Sequence, residues 1–149
     1  MNPLGKILLV EDNAGDVDLI LAALAKCNLA NEVVVAHDGG EALDYLHRRG
    51  EFHARPPANP AVIFLDLNMP KVDGLEVLRQ IKSDSELNTI PVVILTSSRD
   101  ETGLAQCYQL GANSCVVKPV DFQQFAEAIG QLGMFWAVVN EPPQQRVKR

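Results

Sequence analysis

Apolar and polar positions along this chain follow two rhythms. Five short runs are rich in Val, Ile or Leu: KILLV (6–10), EVVVA (32–36), AVIFL (61–65), PVVIL (91–95) and SCVVK (114–118). Runs that stay apolar instead of alternating fit strands covered on both faces. Between them the period lengthens. Val17, Ile20, Leu21 and Leu24 recur at i, i+3, i+4 and i+7, as do Phe122, Phe125, Ala126 and Ile129, which is the stripe of an amphipathic helix.

The helix starts are marked as well. Asp38 precedes Glu41 by three residues, Asp73 precedes Glu76, Ser98 precedes Glu101 and Asp121 precedes Gln124. Each pair has the form of a capping box, and Asn13 with Asp16 is a weaker version. Gly50 and Gly111 stand where helices should stop. A strand followed by a helix, five times over, predicts a doubly wound α/β fold: a five-stranded parallel sheet with helices on both faces. One segment breaks the rhythm. RRGEFHARPPANP (48–60) reads as a long surface loop before the third strand.

Length and composition narrow the picture. The chain has 149 residues, enough for one domain with a sizeable core. Its net charge of -6 argues against nucleic-acid binding, which demands a basic surface, and against an anionic membrane. No run approaches the ~20 apolar residues of a membrane span. The three cysteines, Cys27, Cys107 and Cys115, form no CxxC pair, so a reduced, cytoplasmic chain is expected.

The chemistry gathers at strand ends. In a parallel sheet all carboxyl ends share one edge, and ligands bind there. The first strand runs into Glu11 and Asp12, the third into Asp66, the fourth into Thr96, Ser97 and Ser98, and the fifth into Lys118 and Pro119. Taken singly, each is an ordinary turn residue, cap or surface lysine. Together they make an all-oxygen cluster whose mutual repulsion a hard divalent cation would offset. Mg²⁺ commonly takes one or two carboxylates and leaves room for a phosphoryl oxygen. Such a site with Lys118 beside it suits phosphoryl transfer, with Asp66 as a nucleophile that forms an acyl phosphate. The stretch VIFLDLNMPKVDG (62–74) then makes sense: a buried strand holds Asp66 rigidly, and the turn after it can present the carbonyl of Asn68 to the cation.

LLVEDN, DLNMPKVDG, ILTSS and VVKP, in this order, resemble the receiver domain of two-component response regulators over about residues 5 to 136. The long loop before the third strand and the FW near the end of the last helix are similar to the single-domain regulators paired with cyanobacterial phytochromes. The resemblance implies a receiver domain over residues 5–140 with a loose tail over 141–149. It makes Asp66 the phosphoacceptor for a sensor histidine kinase, here a phytochrome, in a Mg²⁺-dependent reaction. It gives Asp12 direct contact with Mg²⁺, Glu11 contact through water, and Asn68 a carbonyl ligand. Thr96 becomes the switch hydroxyl, Lys118 the partner of a phosphoryl oxygen, and Pro119 the residue after a cis peptide. Ser97 is small and leaves the phosphoryl group accessible. One position departs from the pattern: Cys115 stands where receivers usually carry Tyr or Phe. Either it fills that slot as a small apolar residue, or the switch is transmitted otherwise.

No DNA-binding or catalytic segment follows in the sequence, so output by protein contact is expected. Leu132, Met134, Phe135, Trp136, Val138 and Val139 give the last helix more apolar surface than one buried stripe needs, although Gly130 and Gly133 interrupt it. Phe135 and Trp136 read as interface anchors, and the resemblance implies a homodimer through the fourth helix, fifth strand and fifth helix. The alternative is a constitutive docking module on the same fold. An aspartyl phosphatase is disfavoured, because the general acid expected two residues after the nucleophile is replaced by Asn68. A nucleotide-binding flavodoxin-like protein is disfavoured by the lack of a Gly-rich loop after the first strand.

Overall fold

The computed structural model describes residues 5–26, 31–69, 73–96, 101–118 and 122–136. The strands are β1 (Ile7–Val10), β2 (Val33–Ala36), β3 (Val62–Asp66), β4 (Val92–Thr96) and β5 (Ser114–Val117). The helices are α1 (Ala14–Lys26), α2 (Gly39–His47), α3 (Gly74–Ser83), α4 (Glu101–Gln109) and α5 (Phe122–Met134). All strands are parallel, in the order β2-β1-β3-β4-β5.

Side chains on successive strand residues point to opposite faces, so each central strand feeds two cores. Leu8, Val10, Ile63, Leu65, Val92 and Ile94 pack with α2, α3 and α4 through Leu43, Leu46, Val77, Leu78, Ile81 and Cys107. Ile7, Leu9, Val62, Phe64, Val93 and Leu95 pack on α1 through Val17, Ile20, Ala23 and Leu24, with Leu132 and Trp136 closing the same side. The expectation of strands covered on both faces holds for β1, β3 and β4. It fails for β2 and β5, whose residues are mostly half-buried because they are the edges of the sheet.

The caps form where the sequence placed them. Asp38 accepts from the Glu41 amide at 2.7 Å, Asp73 from the Glu76 amide at 2.9 Å, and Asn13 from the Asp16 amide at 2.9 Å. The return arm of the box differs in each case: the Glu41 carboxylate accepts from the His37 amide, and Glu76 pairs with Arg79 instead. The pairs beginning at Ser98 and Asp121 lie outside the described residues. Gly111 follows α4 with φ 104°, as a helix stop should. Gly50 does not end α2. The left-handed cap there is Arg48 at φ 54°, and Gly50 instead opens a single 3-10 turn, Gly50–Phe52.

That turn belongs to the long loop, which is more firmly attached than a surface insertion need be. The Arg55 guanidinium lies 4.3 Å above the Tyr45 ring. It donates to the carbonyls of Tyr45 (2.9 Å), Pro56 (3.1 Å) and Ala58 (2.7 Å), and so satisfies the open end of α2 and the loop together. Phe52 meets the same ring edge-on at 5.3 Å.

Asp66 sits where the end of β3 meets the start of α3. Leu67 continues the ladder by donating to Leu95 at 2.9 Å, and α3 then begins directly against the end of β3. A Cβ on Gly74 would collide with the Asp66 carbonyl oxygen and would lie 2.6 Å from Leu67 Cα, both backbone atoms that cannot step aside. Gly74→Ala should therefore cost about 2 kcal/mol or more through overpacking, read as a lower urea midpoint with an unchanged slope. An unaltered midpoint would show that the approach of α3 to β3 is not tight.

Candidate functional site

Register brings the strand ends level. Val10 lies beside Ala36 and Leu65, Asp66 beside Leu95, and Thr96 beside Val117. The residues at or just past those positions are Glu11, Asp12, Asp66, Thr96 and Lys118. Glu11, Asp66 and Thr96 are buried and Asp12 is exposed. Carboxylate oxygens of Glu11, Asp12 and Asp66 lie within 4.8 Å of one another. An all-oxygen donor set of this kind, with one exposed member, fits a hard divalent cation.

Lys118 holds the cluster together. Its ammonium donates to Glu11 Oε1 at 2.6 Å and to Asp16 Oδ2 at 2.9 Å, and lies 3.3 Å from Asp66 Oδ2. The backbone amide of Lys118 donates to the Thr96 carbonyl, which fixes the lysine at the end of the β4–β5 ladder. The other oxygens are held by backbone amides: Asn68 donates to Asp66 Oδ1 at 3.1 Å, and Asn13 to Glu11 Oε2 at 3.3 Å.

Charge and burial set the proton affinities. Burial pushes the Glu11 carboxyl up to about 7, and sharing a hydrogen bond with Asp66 pushes the same way, against the pull of Lys118. Burial works to lower the Lys118 ammonium, but its hydrogen bonds to Glu11 and Asp16 and the nearby carboxylate charges outweigh this and raise it. The lysine is therefore fully charged throughout the neutral range. Its contribution to stability is lost only as pH rises past the ordinary lysine range.

Of the residues singled out in the sequence, Glu11, Asp12, Asp66, Asn68, Thr96 and Lys118 come together. Asn68 is exposed and contributes its amide to Asp66. Ser97 and Pro119 lie outside the described residues. Cys115 sits on β5, half-buried against the α2–α3–α4 core. Phe135 is 46% exposed, whereas Trp136 is partly buried against the α1 side of the core, with the two rings 4.9 Å apart. Asp16 was not anticipated. Its amide marked it as part of a helix start, but its side chain reaches Lys118. The available signal was its place in the first turn of α1, right after a strand that ends at the ligand edge.

The arrangement has relatives. The family model for the response regulator receiver domain matches residues 7–130. The chain belongs to that family. This receiver is 36% identical to the response regulator Rcp1 of Synechocystis sp. over 135 residues, 91% of this chain and 90% of that protein. The Mn²⁺-bound crystal structure of Rcp1 matches with a TM-score of 0.86, covering 94% of this chain and 99% of that one at 34% identity. The phosphorylated cyanobacterial phytochrome response regulator RcpA matches at 0.87, with 40% identity over 95% of this chain and all of that one. The bacteriophytochrome response regulator AtBRR is 60% identical, with a TM-score of 0.76 over 94% of this chain and all of that one. The receiver is thus a module of two-component signalling with phytochrome-associated homologues. Receivers are in general signalling modules, not enzymes with external substrates. No helix among the described residues is long and apolar enough to cross a membrane.

Truncating Lys118 should expose the cost of crowding these carboxylates. Lys118→Ala should destabilise the metal-free protein by about 3 kcal/mol at neutral pH, as loss of one partner from a buried ion pair does. The loss should shrink as pH falls through about 7 toward about 5, because Glu11 takes up a proton over that range and one negative charge disappears. Urea titrations at the two pH values, in a chelator, check both statements; equal losses at the two would contradict the coupling to Glu11.

Proposed function

We propose that the protein accepts a phosphoryl group on Asp66 from the phosphohistidine of a sensor histidine kinase, a phytochrome in the best-supported case, and signals by protein contact. The observation that carries this reading is the convergence of Glu11, Asp12 and Asp66 within 4.8 Å, with the Lys118 ammonium 3.3 Å from Asp66. The phytochrome assignment draws on the similarity to RcpA and AtBRR.

In the proposed reaction an Asp66 carboxylate oxygen forms the new bond to phosphorus. The bond from phosphorus to the kinase imidazole breaks, and its electron pair returns to the ring nitrogen. Buried strand β3 keeps the nucleophile immobile, and the Asn68 amide orients it, so little orientational freedom remains to be lost at the transition state. Lys118 follows the charge: its ammonium turns from Asp66 to a phosphoryl oxygen while keeping Glu11 and Asp16 as anchors. The Thr96 hydroxyl, at the end of β4, donates to another phosphoryl oxygen. Mg²⁺ would be held by Glu11, Asp12, Asp66 and the Asn68 carbonyl, and when bound it supplies positive charge to the transferring group. Ser97 and Pro119 complete the site as a small neighbour and as the residue that directs Lys118.

Intact mass after incubation with acetyl phosphate tests this directly. Wild type should gain one phosphoryl group in Mg²⁺ and none in a chelator, and Asp66→Asn should gain none. A modification that survives the substitution, or a folded wild type that never reacts, would overturn the assignment.

Contact output is proposed to run through a homodimer on the α4–β5–α5 face. Tyr108 on α4 (55% exposed) and Phe135 just beyond α5 are the exposed large hydrophobic residues among those described. Phe135→Ala should shift a dimer toward monomer by at least about tenfold in Kd, the loss typical of an aromatic anchor, as read by light scattering. A dimer of unchanged affinity would remove Phe135 from the interface.

A further inference from the structure

Asp16 stands in the first turn of α1, where a carboxylate ordinarily serves the helix itself. Asn13 caps that turn: its side chain accepts from the Asp16 amide at 2.9 Å, and its carbonyl accepts from the Val17 amide at 3.0 Å. An acidic side chain at this third helical position commonly reaches back to the amide of the cap residue. Here the Asn13 amide is already taken, since it donates to Glu11 Oε2 at 3.3 Å. The Asp16 carboxylate turns instead to the ammonium of Lys118, 102 residues further along the chain, and accepts from it at 2.9 Å.

That ammonium has three N–H groups on a tetrahedral nitrogen, so fixing two of their directions fixes the third. One donates to Glu11 Oε1 at 2.6 Å and one to Asp16 Oδ2. The third is left for Asp66, whose Oδ2 lies 3.3 Å from the same nitrogen. The two anchors are not equivalent. Glu11 is fully buried and shares the carboxylate cluster with Asp12 and Asp66. Asp16 is 35% exposed and stands outside that cluster, so it holds the lysine from the α1 side and takes no part in the donor set for a cation.

We propose that Asp16 is a positioning residue for phosphoryl transfer: it aims the Lys118 ammonium so that one N–H faces Asp66 and then the oxygen of the incoming phosphoryl group. The inference rests on the reading of Asp66 as phosphoacceptor and names the group that orients its lysine. A lysine side chain has a long flexible stem, and an ammonium bonded to Glu11 alone could swing about that single contact. The second bond, from α1, removes this freedom before the phosphoryl donor arrives, so it need not be lost at the transition state. No bond is made or broken at Asp16; it acts only through Lys118.

Charge and position predict opposite signs. As a mere negative charge near an anionic donor, Asp16 would slow the reaction, and Asp16→Asn would speed it. As a positioning residue it does the reverse: Asp16→Asn should slow phosphorylation by acetyl phosphate about tenfold to a hundredfold at saturating Mg²⁺, the range expected when a transition-state contact is misplaced. The test is the rate of mass gain for wild type, Asp16→Asn, Asp16→Glu, and Asp16→Asn combined with Lys118→Ala, with Asp66→Asn as the reference for the site of modification and urea midpoints as the check on folding. Asp16→Glu keeps the charge and should recover most of the rate. Without Lys118, Asp16→Asn should have no further effect, because its route of action is gone. If Lys118→Ala does not fold or react, the comparison of Asp16→Asn with Asp16→Glu decides alone. An Asp16→Asn protein as fast as wild type or faster, an Asp16→Glu protein as slow as Asp16→Asn, or an equal loss without Lys118 would overturn the positioning role. A wild type that gains no phosphoryl group, or gains it away from Asp66, would instead remove the reading on which the proposal rests.

Discussion

Among the described residues, a single ammonium group stands among the carboxylates at the carboxyl edge of the sheet. Lys118 is bonded to Glu11 from β1's end and to Asp16 from α1, and it lies against Asp66 from β3. With Asp12 included, four carboxylates face one cation, a formal charge of −3 when all are ionised. Folding must bring these charges together, because the apolar strands behind them are what the core is made of. The lysine makes that tolerable, and the raised Glu11 carboxyl records the cost that remains, burial first and the neighbouring Asp66 second. The same imbalance makes the edge receptive to positive charge.

The sheet supplies the precision this balance needs. Asp66 ends a strand buried on both faces, and its carboxylate is held from one side by the Asn68 amide and from the other by Lys118. The close approach of α3 at Gly74 sets the helix start directly against the backbone of Asp66 and Leu67. Glu11 is similarly placed, with its backbone amide on the Ala36 carbonyl and its side chain on the Asn13 amide. Positions are thus set by ladders and packing, while the charges are left to respond to what binds.

Much of this was legible in the sequence, for definite reasons. Unbroken Val/Ile/Leu runs are strong signals when strands are central, so β1, β3 and β4 and their loaded ends could be read directly. The caps at Asp38 and Asp73 were legible because a side-chain acceptor three residues before a Glu has few other uses. Edge burial was not legible: β2 and β5 are as apolar as their neighbours, and only strand order shows that they are half-covered. Asp16 was read by its backbone role, since a linear pattern cannot show that the side chain reaches across to Lys118. The apolar surplus of the last helix was legible, but that Trp136 leans partly on the α1 side of the core was not, because direction depends on the phase of the last turn relative to α1.

Arg55 fastens the long loop through backbone carbonyls, those of Tyr45, Leu46, Pro56 and Ala58, with the Tyr45 ring beneath its guanidinium. A carbonyl is offered by every amino acid. The attachment therefore places demands on three side chains, Arg55, Tyr45 and Asn59, whose amide donates to the Glu86 carbonyl at 2.8 Å, and on the path of the chain, but scarcely on the identity of residues 56 to 58. Such a loop is free to diverge in surface chemistry while its anchoring stays constant. It gives the fold a place where surface chemistry can change without disturbing the carboxylate cluster at the other end of the same strand.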